Sequence, residues 1–154
     1  MNFTKNYIDM MEKSPIQKDW EPKYGNYVWK DYSKTQWIAQ PSYEILQEFS
    51  EDRIQEILTP DEVYPERGVP KIWWLPLEHD WWERIDIGEK YIIEIHKWND
   101  KFYLEVEVME GEKRYLSFEG DSILELISAF WHSKRGLKWD GERKGWVQNE
   151  KKTR

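Results

Sequence analysis

Between Tyr91 and Phe118 the side chains switch between apolar and polar with a period of two, which leaves little choice of local structure. Phe102, Leu104, Val106 and Val108 are interleaved with Tyr103, Glu105 and Glu107, so an extended chain here has one apolar face and one polar face. A sheet with one wet face is antiparallel as a rule, because parallel strands are covered on both sides. Asn99-Asp100 and Glu110-Gly111 separate the runs Tyr91–Trp98, Phe102–Met109 and Arg114–Phe118, and these residue types tolerate the positive φ of tight turns. The reading is a three-stranded meander.

A helix follows. Ser122 and Glu125 have the spacing of a capping box, and Asp121 adds negative charge at the positive end of the helix dipole. Ile123, Leu124, Ile127, Phe130 and Trp131 recur at helical spacing, Lys134 and Arg135 complement the C-terminal end, and Gly136 is the stop. This apolar stripe is expected to lie across the apolar side of the meander. Beyond it, Leu137–Trp139 and Trp146–Val147 read as short strands around an Asp140–Gly145 loop.

The N-terminal half is less regular. Asn26–Trp29 reads as a strand, Val69–Leu75 as a strand closed by Pro76, and Glu78–Ile85 as a short helix. Residues 42–58 read as two short helices, because Ile45, Leu46 and Phe49 face more than about 100° away from Ile54, Ile57 and Leu58, with Ser50 as the intervening cap. Thr59-Pro60-Asp61-Glu62 resembles a further helix start. The expected fold is a single α+β domain over residues 1–154. It consists of a small antiparallel meander packed against a C-terminal helix, short N-terminal helices, and a flexible basic tail at 148–154.

Eleven tryptophans, among them the pairs Trp73-Trp74 and Trp81-Trp82, supply large apolar area in a chain that is otherwise polar and acidic. At 154 residues the chain is long enough for a core without staples, and the absence of cysteine excludes disulfides, thiolate metal sites and a cysteine nucleophile. No apolar run approaches the roughly 20 residues of a membrane span, and Met1–Asn6 leads into none, so a cytoplasmic protein with no membrane partner is expected. The net charge of −7 is uneven: residues 132–154 carry eight basic against three acidic side chains, which leaves the remainder at −12.

Three segments together resemble a loose group of small uncharacterised proteins encoded by phages and prophages of Gram-positive bacteria. They are Lys18-Asp19-Trp20-Glu21-Pro22-Lys23-Tyr24-Gly25-Asn26-Tyr27-Val28, then Ile72-Trp73-Trp74-Leu75-Pro76-Leu77, then Ala129-Phe130-Trp131 with Lys138-Trp139-Asp140-Gly141-Glu142 and Trp146-Val147. Arg143-Lys144-Gly145 form a longer spacer before Trp146 than that ending has. The resemblance covers about a quarter of the chain and implies a phage setting, the cytoplasm of an infected or lysogenic host, and a host-directed or defence-evading role. It implies no catalytic residues.

The contact surface expected from the residues is Trp73, Trp74, Trp81 and Trp82, joined by Trp139, with Lys138, Arg143 and Lys144 as anion contacts. An indole left accessible is a stacking platform for flat ligands; the alternative is that the same rings are amphipathic packers at a helix–sheet seam. Trp131, Trp139 and Trp146 alternate with Lys134, Arg135, Lys138, Arg143 and Lys144, a pattern that suits stacked bases and phosphates. The expected partner is a host protein or a small anionic ligand, a nucleotide-type molecule being one alternative and single-stranded nucleic acid a less favoured one against the −12 body. His79 and Glu83 share a helical face but lack a second histidine, so no metal and no cofactor is expected. His96 and His132 read as surface residues. No nucleophile elbow, phosphate loop or dinucleotide fingerprint is present, and a non-enzymatic binder is the favoured reading.

Overall fold

The computed structural model describes residues 3–21, 26–31, 42–45, 71–85, 90–112 and 114–149. Its contacts divide the chain into two compact units, one of Met11–Pro76 and one of Met1–Met10 with Leu77–Arg154. The architecture is α+β, with antiparallel sheets throughout the described residues.

The larger unit contains the meander: β4 (Tyr91–Trp98), β5 (Lys101–Val108) and β6 (Arg114–Gly120), in that order. Asn99 and Asp100 take φ of 48° and 63°, the two-residue turn whose twist matches the strands it joins. Register places Ile93, Val106 and Leu116 side by side, and likewise Ile95, Leu104 and Phe118, so the apolar positions share one face. Across that face lies a helix, α3 (Ile123–Ser133), packed on β5 and β6. Its cap is as the spacing requires: Ser122 is extended and its side chain accepts from the Glu125 N–H at 3.2 Å. Leu126, Ile127, Phe130 and Trp131 are buried, each worth about 1.5–3 kcal/mol against exposure. Gly136 ends the segment at φ 75°, a left-handed conformation that favours glycine. The opposite face of the sheet is open, with Ile92, Trp98 and Tyr115 exposed.

A hairpin of β7 (Leu137–Asp140) and β8 (Gly145–Gln148) follows α3, its turn closed by the Asp140 carboxylate accepting the N–H groups of Glu142 and Arg143. Gln148 therefore belongs to a strand; the tail from 150 onward lies outside the described residues. Two helices complete this unit. One, α2 (Glu78–Arg84), has its first turn held by the Asp80 carboxylate, which accepts the Leu77 N–H at 2.8 Å. The other, α1 (Lys5–Glu12), begins in this unit and was not marked by the sequence reading. Thr4 starts it by accepting the Tyr7 N–H through its hydroxyl, and Tyr7, Ile8, Met10 and Met11 are its buried face.

In the smaller unit, β1 (Tyr27–Asp31) lies between β2 (Ser42–Ile45) and β3 (Lys71–Leu75). Residues 42–45 are thus a strand, in correction of the expected helix start: the full length of Ser42–Ile45 pairs with Lys30–Tyr27, and cross-strand pairing overrides a weak helical period. The rest of the two expected helices, and Thr59–Glu62, lie outside the described residues. After Ser14 caps a 3₁₀ turn over Pro15–Asp19, the Gln17 side chain meets β3. Its amide donates to the Trp74 carbonyl at 2.8 Å and accepts the Trp74 N–H at 2.6 Å, so one side chain takes the place of a neighbouring strand on that edge.

His132 departs from the surface position expected of it. The β7–β8 hairpin folds over the last turn of α3, and the Trp146 ring stacks on the imidazole at 3.5 Å between centroids and 8° between planes. Nδ1 lies 2.6 Å from the Ser128 carbonyl, which can only accept, so Nδ1 carries the proton. Burial pushes the pKa down from 6.5 to about 4; the bond to the Ser128 carbonyl opposes that shift and the Arg135 charge adds to it. A group depressed in this way makes the unfolded chain the better proton binder between those two values. Stability therefore falls as pH drops from 6.5 toward 4, by up to about 3 kcal/mol from this group. Urea denaturation of wild type and His132→Asn across that range should show a shallower pH slope in the variant, and equal slopes would contradict the assignment.

Candidate functional site

The N-terminal half of α3 carries a buried carboxylate. Glu125 is 5% exposed and accepts from the Thr4 hydroxyl at 2.8 Å, the Asn6 side-chain amide at 2.5 Å and the Ser122 hydroxyl at 3.2 Å. Three donors are what a carboxylate removed from water requires. Asn6 turns its other atom to β7, where its Oδ1 accepts the Trp139 indole N–H at 3.0 Å. Trp146 adds a second indole bond, from Nε1 to the Met10 carbonyl at 2.9 Å. Through these contacts α1 is bound to α3 on one side and to the β7–β8 hairpin on the other.

A groove lies over α3 between β6 and β7, bordered also by Asn6 and Met10 of α1. One part, about 430 Å³, is lined by Leu116 to Glu119 of β6, by Glu125, Ala129 and Ser133 of α3, and by Leu137 to Trp139 of β7. The part beyond it, about 910 Å³, shares Leu116, Ser133, Leu137 and Asn149 with the first, so the two adjoin along one face of α3 and are treated together as a channel. Such volumes are those of ligand sites. Its two ends differ in charge. The first carries Glu119, Glu125 and Lys138, whereas the second carries Arg114, Lys134 and Arg135, with no carboxylate among the described residues of its lining. The Arg135 guanidinium lies 3.5 Å from the centre of the Trp131 ring and donates to the Trp131 carbonyl, and Lys134 Nζ stands 5.1 Å from the Tyr91 ring centre. Both cations therefore have aromatic supports that fix their stems.

The residues singled out from the sequence are distributed unevenly. Trp73 and Trp74 belong to the smaller unit and are buried on opposite faces of β3, Trp73 beside Trp29 and Trp74 stacked on Trp20. Trp81 belongs to the larger unit, is fully buried against Trp131, and donates its N–H to the Tyr7 hydroxyl at 2.9 Å. These three rings act as packers. Trp82, about 100° round the helix, stays half-exposed with its N–H on Glu78. Lys138 and Trp139 line the groove, while Arg143 and Lys144 sit in the β7–β8 turn and line neither part of it. Arg114 was missed by the sequence reading; only the meander register brings it beside the end of α3. His79, exposed, stands 3.5 Å from Asp80, and among the described residues no group of three metal-ligating side chains is placed to hold an ion. Among them, too, no helix is long and apolar enough to cross a membrane.

Comparison with protein-family models, with curated proteins and with solved structures returns no match. The side chains of the groove themselves therefore carry the functional reading.

Replacing Glu125 by alanine should lower stability by about 2–3 kcal/mol in urea denaturation, because Thr4, Asn6 and Ser122 then lose one shared acceptor. A change under about 0.5 kcal/mol would mean that the carboxylate holds nothing together.

Proposed function

We propose that this chain is a non-enzymatic binding protein of the host cytoplasm, an accessory protein of phage or prophage origin, and that the channel between β6 and β7 is where it takes its partner. The partner is a host protein segment or a small ligand, and the group it presents to the second part of the channel is anionic. The observation that carries this reading is the separation of charge along one concave surface: Arg114, Lys134 and Arg135 gather around an apolar floor of Leu116, Phe130 and Leu137, with no acidic side chain among the described residues that line it. Charges of one sign in a concave site concentrate the local field and attract the opposite sign, even on a body whose net charge is −7. A small anionic group is held there more readily than a long polyanion, which the rest of the acidic surface repels. The resemblance of the Trp20, Trp73-Trp74 and Trp139–Trp146 segments to phage-encoded proteins supports the setting.

The groove also accounts for two of the residues singled out from sequence. Lys138 contributes a cation to its first part and Trp139 an indole wall, while the indole N–H is already committed to Asn6. Glu125, the buried carboxylate of that part, is engaged by three donors and serves the framework.

Ala129 lies half-buried in the channel floor, so Ala129→Phe fills the channel from a position outside the sealed core. In native mass spectrometry after incubation with bacterial lysate, wild type and Arg143→Glu should retain the same adduct, and Ala129→Phe and Arg114→Glu should lose it. Circular dichroism of each variant checks that the fold persists. An adduct that survives Ala129→Phe, or no adduct on the wild type, would contradict the proposal.

A further inference from the structure

The two strands that flank the channel present their edges to it. Successive side chains of a strand point to opposite faces, so a surface that touches consecutive residues runs along the strand's edge. Leu116, Ser117, Phe118 and Glu119 all line the channel, and so do Leu137, Lys138 and Trp139. Leu116 and Phe118 share the face turned to α3, while Ser117 and Glu119 share the open face, so the channel spans both sides of β6. Among the described residues β6 is paired on one side only, with β5, and β7 on one side only, with β8. Both strands rest on the same helix. The order across α3 is therefore β4-β5-β6, a gap, then β7-β8, with an unpaired edge on each bank.

Resting on the reading of the channel as a binding site, we infer that its occupant is an extended segment of a partner polypeptide, which enters as a strand against β6 and β7 and presents an acidic group to Arg114, Lys134 and Arg135. Main-chain N–H and C=O groups at an open edge favour another backbone in extended form, and such added strands gain affinity from the ladder and specificity from alternate side chains. Two features make this channel fit that use. Its floor is apolar and small at Ala129, which leaves room for the side chains an added strand turns toward α3. Its cationic end is bordered by the turn after α3, where Arg135 is held by the Trp131 ring and carbonyl, and a carboxylate of the incoming segment would find two charged donors in Arg114 and Lys134. Lys138 in the middle of β7 keeps a second copy of this lysine-bearing edge from pairing there, which favours a different chain as the occupant.

The probe is a displayed library of linear peptides of about ten residues, half ending in a free acidic residue and half in a neutral amide, selected against the wild type and counter-selected against Ala129→Phe. The expected winners carry the acidic end. On binding they should slow amide exchange about tenfold or more at residues 116–119 and 137–139, and Arg114→Glu with Lys134→Glu should weaken them about tenfold or more. N-methylation of alternate residues separates a ladder from side-chain docking: a strand between two edges directs alternate N–H groups to β6 and to β7, so each methylated set should weaken binding about tenfold or more. Winners that bind without slowing those amides, or that tolerate either methylated set, overturn the strand. If no peptide is selected while a nucleoside triphosphate binds wild type but not Ala129→Phe, the channel remains a ligand site and the strand proposal fails. If peptide and nucleotide both fail, and the lysate adduct is indifferent to Ala129→Phe, the reading of the channel as a binding site fails with it.

Discussion

The buried carboxylate of Glu125 is the point on which the larger unit turns. A carboxylate shielded from water is tolerable only where donors surround it, and here three donors come from two places in the sequence: Thr4 and Asn6 near the start, and Ser122 at the helix cap. The Ser122 cap that begins α3 is thereby extended into a tertiary clamp on α1. Asn6 is the hinge of that clamp, since its amide donates to Glu125 and its oxygen accepts from Trp139. Asn6 and Met10 of α1 border the channel beside β7, and one turn further along α3 the small side chain of Ala129 lies in its floor.

The tryptophan excess has a physical account in the same terms. An indole combines a large apolar area with one directional donor, so each ring both fills volume and specifies a partner. Trp20 donates to Asn26, Trp81 to Tyr7, Trp139 to Asn6 and Trp146 to the Met10 carbonyl. Several of these bonds join residues more than seventy positions apart, which gives an acidic, polar chain specific long-range contacts from few residues. Around the end of α3 the rings of Trp81, Trp131, His132 and Trp146 form one cluster, and the imidazole stays neutral at its centre because its charged form would have no water. The Trp131 N–H is buried without an acceptor among the described residues, a cost the cluster carries in exchange for close ring contact.

Local patterns in the sequence predicted local structure well. The alternation at 102–108, the Asn99-Asp100 turn, the Ser122 cap and the Gly136 stop each act through backbone geometry of a few neighbouring residues, and each is found where it was read. Features decided by partners far away in the chain were not legible. Ser42–Ile45 is a strand because β1 pairs with it, and His132 is buried because a later hairpin folds over it. The start of α1 had a signal that was passed over: Thr4 in capping position ahead of Tyr7, Ile8 and Met11. For the site, Lys138 and Trp139 were read from the basic, aromatic C-terminal stretch, whereas the contribution of Arg114 follows only from strand register. Tryptophan doublets were the most conspicuous motif, and three of their four rings serve packing because an indole's area favours burial wherever a face is available.

What the channel can hold depends on its banks staying where the Glu125 clamp puts them, and the Asn6–Trp139 bond is the contact that ties the second bank to the clamp. The direct measurement is a double-mutant cycle in urea with Asn6→Ala and Trp139→Phe, singly and together. Coupling of about 1 kcal/mol, with the double variant less destabilised than the two single changes combined, is the predicted result. Strict additivity of the two substitutions would show that the Asn6–Trp139 bond does not tie β7 to the Glu125 clamp, which would contradict the account.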